Sequence, residues 1–187
     1  CRELAARGVT AIFPNIAWGG VAHYDSALLP HSETFKQYGD QLAQCLQAAH
    51  RYGLEVHAWK ICWNLEGAPP AWREAAAREG RVITPAGGGS EWLSPSHPAN
   101  RRLEQAVAAE LLSRYEIDGL HLDYIRYPTG PPLAGAAGRA AFEKAIGRRC
   151  RNWPGDIRSG GPLHAAFLRW RSERITELVQ AVEEKVR

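Results

Sequence analysis

Residues 117–128 read IDGLHLDYIRYP. From Gly119 to Tyr124, Leu120 and Leu122 alternate with His121 and Asp123, which is the period of a β-strand. Asp118 and Gly119 shape the turn into the strand; Arg126, Tyr127 and Pro128 take the chain out of it. One parity is suited to packing and the other carries an imidazole and a carboxylate. A carboxylate on the inner face of a parallel sheet is costly without a partner. Asp123 is therefore the leading candidate for chemistry, with His121 and the Arg126 cation placed to support it.

The same alternation recurs upstream. LEVHAWKI (54–61) reads as a strand with His57 and Trp59 on one parity and Leu54, Val56 and Ala58 on the other. VTAIFPNI (9–16) reads as a buried strand that ends at Asn15, after a helical tail over 1–7. Helices are predicted between them. One covers about 38–52, with Leu42, Cys45, Leu46 and Ala49 on one face and Gly53 as its stop. PPAWREAAAREG forms a short one, and Pro98 opens another that runs to about Tyr115. TPAGGGSEW (84–92) is expected as a loop. After Pro128 a Gly- and Pro-containing connection holds a short helix near 140–147, and an amphipathic helix fills about 163–186. Strands alternating with helices predict an α/β fold with a parallel sheet of right-handed βαβ units. Three strands do not close an eight-stranded barrel. The sheet is either open or part of a TIM (β/α)8 barrel.

Composition bounds the function. A chain of 187 residues, 45% hydrophobic and 23% charged, is long enough for one domain with a core. The net charge is +3, but Arg and Glu interleave along the helices, and RRCR (148–151) is too short for a cationic track. No nucleic-acid partner is expected. No run approaches ~18 apolar residues, so no membrane span is expected. Cys1, Cys45, Cys62 and Cys150 lie far apart without a Cys-x-x-Cys pair, which argues against a zinc site or a disulfide framework. No cofactor is expected, and oligomeric state is not written in the sequence. The chain has no Met and starts at Cys1, so it reads as a processed chain or, better, as an excerpt of a longer one. A lipidated Cys1 would be followed by a flexible tether, whereas CRELAARG reads as a helix end.

Parallel α/β folds carry their chemistry at C-terminal strand ends. Here those ends collect Asn15, then His57, Trp59, Lys60 and Trp63, then His121, Asp123, Arg126 and Tyr127. Structural readings stand beside the functional ones. His57 and His121, each taken alone, read first as hydrogen-bonded core histidines, Trp18, Trp59 and Trp63 as core aromatics, and Arg126 as a bridge to Asp118 or Asp123. His57, His121 and Asp123 also suit a zinc ion chemically, although they are spread over two strands without a His-x-His pair.

Four segments carry a family resemblance: FPNIAWGGVAHYDSALLP (13–30), AHRYGLEVHAWKICWN (49–64), WLSPSHPANRRLEQAVAAELLSRYEIDGLHLDYIRYP (92–128) and FLRWRSERITELV (167–179). Together they resemble the glycosyl-hydrolase-like 10 family, bacterial (β/α)8-barrel proteins related to the amylase-like glycosidases. The resemblance implies that 1–187 is one partial barrel domain, covering about strands two to four. It implies hydrolysis of O-glycosidic bonds, with peptidoglycan glycan strands as substrate and an extracytoplasmic location. Asp123 then falls at the nucleophile's position, with His121 where related enzymes carry an Arg. Glycoside hydrolysis needs a second carboxyl group. Asp25 and Glu66 lie on loops, so the partner acid is expected outside this chain. Sugar rings stack on aromatic faces, which makes Trp18, Tyr24, Trp59, Trp63, Trp92 and Tyr127 the expected platforms. Asn15, His57, Lys60, His121 and Arg126 are the expected hydrogen-bonding groups. The alternatives are a non-catalytic carbohydrate-binding fragment, or a metal-dependent hydrolase using His57, His121 and Asp123.

Overall fold

A computed structural model describes residues 1–84, 91–128 and 135–186. After α1 (Arg2–Ala6) come three short strands, β1 (Ala11–Ile12), β2 (Asn15–Trp18) and β3 (Val21–Ala22). Helices α2 (Glu33–Tyr38) and α3 (Gln41–His50) lead to the long strand β4 (Glu55–Ile61). Helix α4 (Pro70–Arg78) and the strand pair β5 (Val82–Ile83) and β6 (Trp92–Leu93) precede α5 (Pro98–Arg114). Strand β7 (Gly119–Asp123), α6 (Gly135–Ala145), a 3-10 turn (Gly155–Ile157) and α7 (His164–Val186) complete the described chain.

Strand β4 is the hub of the main sheet. β1 and β2 both pair with it in parallel on one edge, and β7 pairs with it in parallel on the other. The β4–β7 register runs from His57 opposite Gly119, through Trp59 opposite His121, to Ile61 opposite Asp123. The alternation in sequence becomes two faces. Val56 and Ala58 are buried, with Leu120 packed beside them, under Leu42, Leu46 and Ala49 of α3 and Val107 and Leu111 of α5. Each such leucine contributes about 1.5–3 kcal/mol by leaving water. The opposite face carries the half-buried His57, Trp59 and Ile61 and the exposed His121.

Two further clusters extend beyond the strand ends. Cys62, Trp63, Leu65, Trp92 and Tyr127 meet Leu178 and Val182 of α7. Phe142, Cys150, Ile157 and Leu163 close on Phe167 and Trp170, at the start of α7. This last group is a small lobe built on the connection that leaves β7.

Three expectations needed correction. The strand over 9–16 is two pieces, because Pro14 has no N–H to give to a ladder and the register shifts again between Asn15 and Ala17. Asn15 therefore opens β2 rather than ending a strand. The helix expected over 38–52 starts later, at Gln41, and a separate short helix, α2, precedes it: Gly39 turns the chain with φ 75° and Asp40 starts afresh, its Oδ1 accepting from Ala43 N–H at 2.9 Å. Finally, Trp92 sits in β6 rather than a loop; residues 85–90 of the expected loop lie outside the described residues. The helix near 140–147 is present, starting earlier, at Gly135.

Entry to β7 is fixed by Asp118. Its N–H donates to Val56 O at 3.0 Å, and its Oδ2 accepts from Val56 N–H at 2.7 Å with His50 Nε2 2.9 Å away. The Val56 amide first, and His50 second, hold this carboxyl below the ordinary carboxylate range. A depressed folded-state value means stability that is present above the unfolded-state pKa, about 3.9, and lost as pH falls through the folded-state value. Thermal melts from neutral pH down to about pH 3 are expected to fall less steeply for Asp118→Asn than for the wild type.

Candidate functional site

Asp123 is the last residue of β7, and both of its carboxylate oxygens are engaged. Trp59 Nε1–H donates to Oδ2 at 3.2 Å, and the Tyr124 backbone N–H donates to Oδ1 at 2.7 Å. The first bond follows from register, which sets Trp59 one step back from Asp123 on the same face. The second follows from the sharp exit of the strand, where Tyr124 adopts a left-handed φ of 55°. That conformation is uncommon for a residue with a Cβ and concentrates at functional turns. It aims the Tyr124 amide back at the carboxylate in front of it.

Aromatic and imidazole rings surround this group. His121 meets Trp59 edge-on, centroids 6.0 Å apart, and Phe13 likewise at 5.9 Å. His57 stacks on Phe13 at 4.7 Å, and its Nε2 lies 3.2 Å from Glu55 Oε2. Phe13 is 51% exposed, so its ring is offered to solvent on this face. Gly119 makes room for His57: a Cβ there would lie 2.2 Å from His57 Nδ1. Gly119→Ala is expected to push the imidazole off Phe13 and destabilise the protein by about 1–3 kcal/mol, read as a lower unfolding midpoint in urea.

The predicted site residues separate into two groups. Asn15 and Trp18, on β2, His57 and Trp59, on β4, and His121 and Asp123, on β7, occupy three adjoining parallel strands. Asn15 lies opposite Trp59 in register, and Trp18 is 41% exposed at the end of β2. Arg126 is exposed, but Tyr124 holds it: the guanidinium lies 4.7 Å from the centroid of the ring, which also stacks on Trp92 at 5.6 Å. The support expected for Asp123 from Arg126 and His121 comes instead from Trp59 and the Tyr124 amide.

Tyr24, Lys60, Trp63 and Tyr127 are elsewhere. Tyr24 is fully buried and donates its hydroxyl to Glu110 Oε2 at 2.9 Å. Burial, and the neighbouring Glu110 carboxylate, push its pKa up. Lys60 has the helix-facing parity of β4, is 3% exposed and forms an ion pair with Glu104 of α5. Burial opposes its charge, but Glu104 outweighs burial and the net direction is upward. Trp63 also has a left-handed φ, 61°, and this turns its ring into the core. Tyr127 shares a 2.7 Å hydrogen bond with Ser96 Oγ, and Arg171 covers its ring at 3.9 Å. Trp92 is buried too. Strand parity does not continue past a strand's last residue, and that explains Trp63 and Tyr127. Lys60 is still inside β4 and shares the helix-facing parity of Val56 and Ala58, so it does not reach the strand-end face.

Phe13 and Tyr124 belong to the site and were not singled out from the sequence. A Phe directly before Pro14 and a Tyr directly after Asp123 were the available signals. The zinc reading has no geometry behind it: among the described residues no group of three His, Cys, Asp or Glu side chains is placed to hold a metal ion. Both imidazoles contact aromatic rings instead.

Comparison with known proteins gives the site its context. A family model described as glycosyl hydrolase-like 10 matches residues 2–187. An S-layer-related protein of Niallia circulans is 28% identical over 107 residues, which is 52% of this chain. The chain spans only 7% of that relative's length. Among solved structures, α-L-fucosidase isoenzyme 2 from Paenibacillus thiaminolyticus matches with a TM-score of 0.66 and 15% identity, over 99% of this chain and 26% of that one. A hypothetical protein from Ruminiclostridium thermocellum ATCC 27405 matches with a TM-score of 0.58 and 16% identity, over 99% of this chain and 83% of that one. The two structural likenesses speak to fold alone. The family match covers nearly every residue from Arg2 onward, including all three strands that carry the candidate site, and the chain belongs to the glycosyl hydrolase-like 10 family.

Proposed function

We propose that this chain is part of the (β/α)8 barrel of a glycoside hydrolase and that Asp123 is one of its two catalytic carboxylates. The observation that carries the reading is Asp123 itself. It stands at the C-terminal end of a parallel strand, on the open face of the sheet, held by two N–H donors among aromatic rings. Parallel α/β folds put catalytic groups at this end of their strands. Aromatic faces such as Trp59, Trp18 and Phe13 suit the apolar faces of sugar rings, and Asn15, His57 and His121 suit their hydroxyls.

The role assigned to Asp123 is nucleophile rather than acid. Two carboxyl groups must stand about 5 Å apart for retention of configuration, or about 6.5–9.5 Å apart for inversion. On the same face of β4, Glu55 lies six residues back from Ile61, the partner of Asp123. At the rise of a strand that is roughly 20 Å, too far for either mechanism. Asp25 is tied to Arg114 at 2.7 Å, and Glu66 lies on an exposed turn. None of Glu55, Asp25 and Glu66 is therefore placed as the partner acid of Asp123.

The substrate class is peptidoglycan glycan strands, and the location is extracytoplasmic. The family supports a glycan, and the S-layer-related relative is consistent with the cell surface. The test is reducing-end release from peptide-free cell-wall glycan by the protein in its full reading frame. Release above a blank is expected. Glycan retained without new reducing ends would replace the enzyme by a binding module, and neither retention nor release would end the reading.

A further inference from the structure

The lobe between β7 and α7 concentrates positive charge. Elsewhere Arg73, Arg78, Arg81, Arg101, Arg114 and Arg174 each lie within 4.0 Å of a carboxylate. Between residues 139 and 158 there are six cations and two carboxylates. Both carboxylates are occupied. Glu143 Oε1 takes Arg139 Nε–H at 2.9 Å and the Cys150 N–H at 3.0 Å, and Asp156 Oδ2 takes the Asn152 N–H at 2.9 Å. Among the described residues Arg148, Arg149 and Arg151 have no ion-pair partner, yet together they line one cavity of about 430 Å³. Three like charges gathered around a concavity repel one another, and a bound anion would relieve that repulsion.

The walls say which kind of anion fits. Asp156, Pro162 and Leu163 complete the lining. The wall carboxylate can accept hydroxyl hydrogens, and Pro162 with Leu163 gives a small apolar patch. The cavity has the size of a small-ligand site. No aromatic ring among the lining residues offers the stacking platform of a single-stranded nucleic-acid groove. One anionic substituent among hydroxyls is the matching pattern, as on a sugar that bears a carboxylate or a phosphate. Position agrees with this. The lobe hangs on the connection leaving β7, and its core includes the first turns of α7, while later turns of α7 pack beside Tyr127 at the exit of β7. It therefore lies on the side of the sheet where Asp123 ends its strand.

We propose that Arg148, Arg149 and Arg151 form an accessory site for a carboxylate- or phosphate-bearing unit of a glycan polymer. The anion site stands on the arginine geometry; only its assignment to a glycan rests on the glycosidase reading. The test is electrophoresis of the purified protein through gels containing polygalacturonate, poly(glycerol phosphate) or neutral dextran, at low and at physiological salt. Arg148→Gln/Arg149→Gln/Arg151→Gln is compared with Arg2→Gln/Arg51→Gln/Arg102→Gln, which removes the same charge from exposed positions elsewhere. The wild type is expected to be retarded by one or both anionic polymers and not by dextran. The pocket variant should bind at least about tenfold more weakly, and the control variant about as well as wild type. Whichever polymer retards the protein tells carboxylate from phosphate.

Equal retardation of the pocket variant and the wild type, no retardation of the wild type, or equal retardation by dextran would each overturn the proposal. Tighter binding of a single-stranded oligothymidine than of either anionic polymer would overturn it in favour of nucleic acid. Because the readout is binding, retention that depends on the arginines but comes without reducing-end release supports the pocket and counts against the glycosidase. Release without such retention does the reverse.

Discussion

Asp123→Asn is expected to lower reducing-end release by about three orders of magnitude or more while the protein stays folded. The amide matches the carboxylate in shape but cannot act as a nucleophile or carry the negative charge. Its cost to stability is small and specific. Asp123 accepts Trp59 Nε1–H on one oxygen and the Tyr124 N–H on the other, whereas an amide has a single acceptor, so one donor faces an NH2 group. A lost hydrogen bond of this kind costs about 1 kcal/mol, which leaves the fold intact. Trp59→Phe keeps a ring against His121 but removes one donor, and activity is expected to fall about tenfold, far less than for the carboxylate. The pair of variants separates chemistry from positioning. Wild-type turnover in Asp123→Asn, shown folded by circular dichroism, would move the catalytic carboxylate elsewhere.

Glu104→Ala is expected to give the largest stability loss, about 3–5 kcal/mol. It strands the Lys60 ammonium, 3% exposed, between the sheet and α5 without its carboxylate. It also removes the acceptor of the Trp63 N–H, 3.2 Å from Glu104 Oε1, at a residue whose left-handed backbone already needs support. Total stabilities are commonly 5–15 kcal/mol, so such a loss brings the protein close to unfolding. Replacing both charges, as Lys60→Met/Glu104→Leu, is expected to recover most of it, because a buried ion pair and an apolar pair of similar volume are often nearly equivalent. Urea unfolding of the single and double variants measures both effects. A single variant within 1 kcal/mol of wild type would mean that water reaches Lys60.

What could be read from the sequence followed periodicity. The alternation in 54–61 and 119–123 located both long strands, their faces and the shared side of His57, Trp59, His121 and Asp123. Helix α5 and helix α7 were placed to within a residue or so by Pro98 and by the apolar stripe through Phe167, Trp170 and Leu178. Irregular backbone escaped. The division at Pro14 and the left-handed Trp63 and Tyr124 each reset the strand parity, and the cap at Asp40 restarts a helix. Tyr24 and Tyr127 escaped for another reason. Their rings fill core, and their hydroxyls reach Glu110 and Ser96, residues 86 and 31 positions away in the chain. Such partners are set by tertiary packing and leave no local signature.

The central position of β4 has a consequence for motion. Its amides and carbonyls are shared between β1 and β2 on one edge and β7 on the other, so freeing them means dismantling the sheet. Strand β7 is pinned, among the described residues, along one edge alone. Hydrogen exchange should therefore grade across the sheet, slowest in β4 and faster in β7, where opening needs a single ladder to part. The carboxylate assigned to catalysis rides on that less protected strand. The lifetime of the Asp123 geometry is thus a local property of β7 and its ladder with β4, and can change without any change in the global stability of the protein.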